Sequence, residues 1–143
     1  MKQQVFVTVL GEQCYEGVAP EHTRLMTDGT METLADGYRV CYEDPQGSDL
    51  AGTKTSLEIH ADYAVLVRDG QIRSVMRFEV GQPHTSLYEM SVGSLTVEIH
   101  TTSFENKMNA DGGTLSVAYS VAIEHQQAGR NKFLLRVKTK DRG

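Results

Sequence analysis

The chain has 143 residues, of which 39% are hydrophobic, and it carries a formal charge of −5. This length is typical of one domain with its own core, and no stretch approaches the roughly 18–20 apolar residues of a membrane-spanning helix. We therefore expect a single domain over residues 1–143. We expect it in the cytoplasm, because Met1–Gln4 leads into a strand pattern and not into an apolar signal segment.

The two cysteines, Cys14 and Cys41, do not have the Cys-x-x-Cys spacing of a zinc or redox site. Isolated thiols in a cytoplasmic protein are normally reduced. The sequence therefore predicts neither a disulfide framework nor a zinc site.

The first third of the chain is predicted to form strands with short connections. The predicted strands are, in order, residues 5–11, 25–34 and 38–42. Residues 12–21 are predicted to form a loop or at most one helical turn. Asp28-Gly29 and Asp36-Gly37 are the expected hairpin turns, because these residue types tolerate a positive φ.

The middle of the chain contains the longest predicted loop and the clearest hairpin. Residues 44–49 are rich in turn-forming residues, and we expect a lid here if the protein has one. Leu57, Ile59 and Ala61 are expected to share one strand face, and Tyr63, Val65 and Val67 another. Arg68-Asp69-Gly70-Gln71 is predicted to be a two-residue hairpin of type I′. Ile72, Met76, Phe78 and Val80 continue beyond it.

The last third shows the strongest strand pattern, because large apolar side chains occupy every second position. They are Leu95, Val97 and Ile99, then Leu115, Val117, Tyr119, Val121 and Ile123, then Phe133, Leu135 and Val137. Further strands are predicted over residues 85–90 and 104–108. About ten strands with short connections favour antiparallel up-and-down pairing. Because an open sheet of this size would leave two exposed edges, we predict an all-β closed barrel of about 8–10 strands.

A family resemblance supports this fold. It is carried by Arg77-Phe78-Glu79-Val80-Gly81, by residues 85–98 and by Gly112-Gly113-Thr114-Leu115, and it covers most of residues 55–137. This part of the chain resembles the uncharacterised bacterial YwiB-like family, a domain of unknown function. The resemblance implies a calycin-like, or lipocalin-like, β-barrel. It implies no activity, so no catalytic residue is transferred to this chain.

Five large residues on predicted inward faces are candidates for a ligand site. Tyr42, Tyr88 and Tyr119 would bring hydroxyl groups into the barrel, and Met76 and Phe78 would form an apolar wall. Buried tyrosine hydroxyls need hydrogen-bond partners, and a bound molecule can supply them. We therefore predict binding of a small apolar or amphipathic molecule. The alternative is that these rings fill the interior, which is the commoner outcome in densely packed proteins.

The C-terminal strand carries a separate candidate surface, which we call the basic strip. Lys132, Arg136, Lys138 and Lys140 are all even-numbered and lie opposite Phe133, Leu135 and Val137. The last fourteen residues carry a formal charge of +5, so residues 1–129 carry −10. Such a strip can contact RNA or a protein. The favoured alternative is a solvated strand face or a lysine-protected sheet edge, because no aromatic residue is predicted on that face and the acidic body repels nucleic acid.

Two weaker patterns in the sequence could also be ordinary strand faces. Ser116, Ala118, Ser120 and Ala122 form a face of small residues, which we expect to be covered by the protein's own chain or to contact a second copy in a homodimer. Glu58-Ile59-His60 is repeated as Glu98-Ile99-His100, and the four polar side chains would form a metal site only if the two strands were neighbours. Two solvated faces are the favoured interpretation.

No nucleophile elbow, phosphate-binding glycine loop or metalloprotease motif occurs in the sequence. We therefore expect a non-catalytic protein without a cofactor or metal. Its expected partner is a small hydrophobic or amphipathic molecule. The alternative is a protein or RNA interaction module that uses the basic strip or the small-residue face.

Overall fold

The computed structural model describes residues 2–14, 19–43, 52–70, 72–124 and 126–140. These residues form ten strands: β1 (Lys2–Cys14), β2 (Glu21–Leu34), β3 (Gly37–Glu43), β4 (Lys54–Ile59), β5 (Tyr63–Asp69), β6 (Ile72–Glu79), β7 (His84–Met90), β8 (Gly93–Asn109), β9 (Gly112–Ile123) and β10 (Gln126–Thr139). The described residues include no helix long and apolar enough to span a membrane. The predicted lid at residues 44–49, Gln71 of the predicted turn and residues 141–143 lie outside the described residues.

Each strand pairs with its neighbours in sequence, and β1 and β10 pair with each other, so the sheet closes into a barrel. Every pair of neighbouring strands is antiparallel, from β1–β2 through β9–β10 to the closing pair β1–β10. In the closing pair, Val7 faces Val137 and Val9 faces Leu135. Closure gives both terminal strands a partner on each side, and the predicted all-β barrel is confirmed.

The core lies inside the barrel, because the odd–even alternation of each strand turns one apolar face inward. Val5 and Val7 of β1, Leu115 and Val117 of β9, and Leu135 and Val137 of β10 are all buried. These are the positions that the sequence pattern selects. Each fully buried side chain of this size contributes about 1.5–3 kcal/mol before chain entropy is subtracted.

One end of the barrel, which we call the packed end, is filled by side chains. It contains the β2–β3, β4–β5, β6–β7 and β8–β9 connections. Phe78, Met31 and Ile59 are fully buried in this half. Asn106 reaches across and donates a hydrogen bond from Nδ2 to the carbonyl of His60 at 2.9 Å, and the His60 ring stacks on Tyr63 with centroids 4.6 Å apart. The opposite end, which we call the open end, is less completely filled.

Three strand boundaries differ from the sequence prediction. Asp28-Gly29 is not a turn, because β2 runs through it; a Cβ at Gly29 would clash with the carbonyl oxygen of Cys41, so glycine permits a close approach of two strands. Residues 12–14 extend β1 instead of forming a loop. Residues 104–108 belong to β8, in which a β-bulge between Thr101 and Ser103 reverses the parity of the inward face.

The inward face of β5 also differs from the prediction. Ala64 and Leu66 are buried, whereas Val65 and Val67 are only half-buried on the outer side. The reason is the register of the β4–β5 pair, in which Ile59 faces Ala64 and Leu57 faces Leu66. Both faces of β5 are apolar at their centre, so composition alone does not identify the inner one.

The barrel wall has a gap between β6 and β7. Among the described residues, only Ile72 with Met90 and Arg73 with Glu89 are paired in register, next to the open end. By comparison, β8 and β9 are paired along most of their length. Beyond Arg73 the two strands separate, and the side chain of His84 approaches the carbonyl of Val75 at 3.3 Å. We call this opening, between residues 74–79 and 84–88, the β6–β7 gap.

Candidate functional site

A cavity of about 150 Å³ enters the barrel at the open end. Its lining combines aliphatic, aromatic and polar side chains. The lining residues are Val9, Gly11, Glu12, Gln13, Thr23, Tyr42, Leu57, Leu66, Arg68, Tyr119, Asn131, Lys132, Phe133 and Leu135. They come from strands all round the barrel, so the closed sheet itself builds the cavity.

An aromatic cluster forms the floor between this cavity and the packed end. Phe78 is fully buried, and its ring lies 4.8 Å from that of Tyr119 and 5.6 Å from that of Phe133, measured between centroids. The tilted and edge-on geometries are favourable for aromatic pairs. Tyr119 and Phe133 contact the cavity from above, whereas Phe78 supports them from below. The Tyr119 hydroxyl accepts a hydrogen bond from Asn131 at 3.4 Å.

Arg68 places a guanidinium group inside the barrel. It follows the buried residues Ala64 and Leu66 on the inward face of β5, and its register partners are Thr55 on β4 and Ser74 on β6. Its Nη1 donates a hydrogen bond to the Tyr88 hydroxyl at 3.1 Å. In the part of the chain that the structure describes, no carboxylate lies within ion-pair distance of this guanidinium.

A second pocket, of about 490 Å³, lies at the β6–β7 gap. Arg68 lines it as well, so this residue is common to the gap and to the cavity at the open end. Ser74 and Ser86 also line the gap and are 5% exposed. Their hydroxyl oxygens are buried without a hydrogen-bond partner among the described residues. On the outer rim, Arg73 contacts Asp69 at 3.7 Å.

The structure brings together part of the predicted ligand set. Tyr42 and Tyr119 line the cavity, and Tyr88 holds Arg68 beside it. Met76 and Phe78 are buried in the packed core. The sequence pattern does not point to Arg68, Ser74 or Ser86. Arg68 lies two positions after Leu66, so it shares the inner face of β5 with that residue. The sequence pattern predicts the opposite face of β5 to be the inner one and therefore places Arg68 outside.

The basic strip lies on the outer surface, as its parity predicts. Lys132, Arg136 and Lys138 are exposed, and Lys140 contacts Asp28 at 2.7 Å. The prediction of a sheet edge is wrong, because β10 pairs with both β1 and β9. The expectation that no aromatic residue lies nearby is also wrong: Phe6 of β1 is the register partner of Lys138 and is 52% exposed.

The other two patterns remain separate from these sites. β4 and β8 are not neighbours, so Glu58–His60 and Glu98–His100 do not converge. Within the described ranges, no group of three His, Cys, Asp or Glu side chains is placed to hold a metal ion. The small-residue face of β9 is half-buried, and an open pocket of about 250 Å³ lies over Ala118 and Ser120.

One charged cluster on the outer surface has a perturbed titration. Arg39 of β3 lies between Glu32 and Glu58 on the neighbouring strands, at 3.1 and 3.0 Å. The hydrogen bond from Arg39 lowers the pKa of the Glu58 carboxyl below its ordinary value, although partial burial opposes the shift. The same carboxylates raise the pKa of Arg39. This cluster links three strands at the surface, away from the cavity.

Comparison with known proteins identifies relatives without a known activity. A family model described as a domain of unknown function, DUF1934, matches residues 7–135. The chain is 27% identical over 90 residues to the uncharacterized β-barrel protein YwiB of Bacillus subtilis (strain 168); the match spans 63% of this chain and 61% of that protein, less than two thirds of its length. The crystal structure of the ywiB protein from Bacillus subtilis matches with a TM-score of 0.81 and 16% identity, over 98% of this chain and 94% of that chain. The predicted resemblance is confirmed, and the fold is shared.

Proposed function

The chain belongs to the DUF1934 family, a domain of unknown function, and from the geometry of its barrel we propose that it binds a small amphipathic molecule at the open end. The observation that carries this proposal is the cavity of about 150 Å³ between an aromatic floor and a polar rim. An apolar cavity of roughly this volume holds a molecule the size of benzene. The apolar part of the ligand is therefore small, and its polar part faces the rim.

The lining supports binding more than catalysis. Among the described lining residues there is no histidine or cysteine, the groups that most often act as general base or nucleophile. Tyr42, Tyr119 and Phe133 instead offer aromatic surface, and Asn131 and Arg68 offer hydrogen-bond donors. We propose a binding protein that is not an enzyme, in which a few polar groups orient an apolar ligand.

Titration with 3-phenylpropan-1-ol, monitored by NMR of the leucine and valine methyl groups, tests this proposal. We expect saturable shifts at Leu57, Leu66 and Leu135, with a dissociation constant of about 1 mM for so small a ligand. The variant Val9→Phe fills the cavity and should abolish the shifts. Val80→Phe is the control, because Val80 is exposed and outside the cavity lining.

Two results would contradict the proposal. One is the absence of methyl shifts in the wild type at about 10 mM alcohol, ten times the expected dissociation constant. The other is binding to Val9→Phe as tight as that to the wild type and Val80→Phe, since the ligand would then lie outside this cavity.

A second candidate function rests on the surroundings of the basic strip. Phe6 is half exposed beside Lys138, and the Lys140 ammonium lies 4.9 Å from the centre of the Phe6 ring. Exposed aromatic rings among cations are a common feature of surfaces that bind single-stranded nucleic acid. We propose this as the alternative activity of the outer face formed by β1 and β10.

Filter binding of an oligouridylate at low salt tests the alternative. The double variant Arg136→Glu plus Lys138→Glu should lose binding, and Phe6→Ala should weaken it several-fold. The control is Arg73→Glu plus Lys107→Glu, which changes the net charge equally at exposed sites elsewhere. Equal losses in the two double variants would show only a nonspecific charge effect and would contradict a site at the basic strip.

A further inference from the structure

We propose that the β6–β7 gap contains a carboxylate-binding site formed by Arg68, Ser74 and Ser86, so that the ligand of this barrel is a small organic monocarboxylate. This inference rests on the proposed function and specifies the charge and head group of the ligand. It follows from three independent features of the described residues: an uncompensated cation, two unpaired buried hydroxyls and an opening in the wall.

The first feature is the charge of Arg68. A guanidinium has five N–H donors, and among the described residues its hydrogen-bond partner is the neutral Tyr88 hydroxyl. Placing a cation on the inward face of a barrel without a carboxylate partner is unfavourable, since partial burial weakens its hydration. An anionic ligand would provide the missing counter-charge. Asp69, the next residue in the chain, contacts Arg73 on the outer rim, and Glu12, which lines the open-end cavity together with Arg68, contacts His22 at 3.6 Å.

The second feature is the pair of serine hydroxyls. Ser74 and Ser86 have more than nine tenths of their surface buried, and both line the gap. Leaving a buried hydroxyl unpaired costs about 1–3 kcal/mol in protein variants. A ligand oxygen placed in the gap would accept a hydrogen bond from each of them. Two other buried hydroxyls without a described partner, on Thr53 and Thr101, do not line this pocket.

The third feature is the strand geometry that brings these groups to one place. Ser74 is the register partner of Arg68 on β6. On the facing strand β7, Tyr88 and Ser86 lie two and four residues before Met90, the register partner of Ile72. Because the β6–β7 pairing ends at Arg73, the wall opens beside this row of residues. Arg68, Ser74 and Ser86 therefore border the same solvent-open pocket, with the two serine hydroxyls buried just beneath its surface.

The composition of the site favours a carboxylate over a phosphate. A guanidinium and a carboxylate are both planar, and they form paired N–H···O hydrogen bonds. Arg73 also lines the pocket, but it contacts Asp69 at 3.7 Å, so Arg68 is the cation left to match an anion. One positive charge matches a monoanion, whereas a phosphate monoester carries close to two negative charges at neutral pH. On the rim of the gap, Asp69 and Glu89 would repel a dianion more strongly than a monoanion.

Calorimetric titration with three ligands that share one phenyl group tests the inference on the full chain. The ligands are 3-phenylpropanoate, the neutral 3-phenylpropan-1-ol and 2-phenylethyl phosphate. Because hydrogen bonds to a charged group are stronger than neutral ones, we expect the carboxylate to bind about 10- to 100-fold more tightly than the alcohol. We expect the phosphate to bind more weakly than the carboxylate.

Matched variants assign the preference to the gap. Arg68→Met should reduce the affinity for 3-phenylpropanoate to that for the alcohol, without changing the affinity for the alcohol. Arg73→Met is the control, because Arg73 lines the same pocket from the exposed rim and has the same charge. Ser74→Ala and Ser86→Ala should each weaken carboxylate binding several-fold. The NMR signal of the Arg68 Nε–H group should shift with the carboxylate and not with the alcohol.

Each outcome is decisive. Equal binding of the alcohol and the carboxylate to the wild type would overturn the carboxylate site and leave the proposed function standing. Binding of none of the three ligands would overturn both. Tighter binding of the phosphate, or an equal loss in Arg68→Met and Arg73→Met, would overturn the assignment of a carboxylate to Arg68. The wild-type comparison requires no variant to fold, and the two serine variants test the same site if Arg68→Met does not fold.

Discussion

Single side chains divide the barrel into two halves with different chemistry. Phe78 seals the packed end from within, whereas Arg68, two positions beyond Leu66 on β5, brings a cation to the open half. An aromatic ring gains from close packing, and a guanidinium gains from a polar or charged partner. The alternation of side chains along the strands thus fills the packed half with apolar groups and places the Arg68 guanidinium, a hydrogen-bond donor, in the open half.

Phe78→Ala should be among the most destabilising changes in this protein. The substitution removes a fully buried ring that contacts Tyr119 and Phe133, and such changes cost about 3–5 kcal/mol. Urea denaturation followed by circular dichroism measures the loss. Leu87→Ala, at an exposed position, is the control and should change stability by less than about 0.5 kcal/mol. Similar losses for the two variants would contradict the described core.

Glu58→Gln should make the stability of the fold change less with pH in the acidic range. Because the hydrogen bond from Arg39 lowers the pKa of Glu58 in the folded state, the charged carboxylate stabilises the fold above its ordinary value of 4.5. That contribution is lost as the pH falls through the lowered pKa. The variant should therefore be slightly less stable at pH 7, by a small fraction of the Phe78→Ala loss, since more than a third of the Arg39 and Glu58 side chains is exposed and water screens the pair.

Thermal unfolding between pH 3 and pH 7 checks this expectation, with wild type and variant converging at the acidic limit. Glu105→Gln is a suitable control, because Glu105 contacts Lys107 at 3.9 Å on a more exposed part of the surface. A constant difference between wild type and Glu58→Gln across the whole range would contradict the proposed origin of the effect.

At the level of the strands, the pairing of β6 with β7 distinguishes this part of the wall from the rest. In the described part of these strands, register pairs occur at Ile72 and Arg73, whereas the β8–β9 and β1–β2 ladders are continuous over most of their lengths. Backbone groups without a ladder partner exchange with solvent more readily. The gap is therefore the expected route by which a ligand reaches Arg68 without passing the open end.

Amide hydrogen exchange followed by NMR tests this difference between strands. In residues 74–79 and 84–88, the alternate amides that point toward the gap should exchange on the order of tenfold faster than amides in the middle of β9. The remaining amides in these two segments point to β5 or β8 and should stay protected. Uniform slow exchange along β6 and β7 would show that the wall is closed and would remove the basis of the gap.

The sequence predicts the fold better than the candidate site, because the fold depends on the alternation within each strand, whereas the site depends on contacts between strands. Phe133, Leu135 and Val137 show their inward orientation through strict alternation, and the same signal locates most of the core. The sequence predicts a turn at Gly29, whereas the structure requires glycine there because the carbonyl of Cys41 on another strand leaves no room for a Cβ. The sequence does not show that Arg68 points inward, because both faces of β5 carry apolar residues and the β4–β5 register decides between them.

The whole molecule depends on closure between β1 and β10, and this gives a last prediction. The Lys140 N–H donates a hydrogen bond to the Gln4 carbonyl at 2.9 Å, so the beginning of β1 and the end of β10 lie side by side. A circular permutant that joins Lys140 to Lys2 through a short glycine linker and opens between Ser91 and Val92 retains every strand pair. Val92 is 89% exposed in the β7–β8 turn, where new chain ends are tolerated.

This permutant should fold cooperatively, with a native circular dichroism spectrum and an unchanged preference among the three phenyl ligands. A matched permutant that opens between Ser116 and Val117 interrupts β9 within its ladders to β8 and β10, and it should not fold. Since both permutants carry the same linker, the difference between them reports the position of the break. If neither folds, the β1–β10 contact is not the site at which the barrel closes. If both fold equally well, continuity of β9 is not required, and the barrel is less cooperative than its uninterrupted sheet implies.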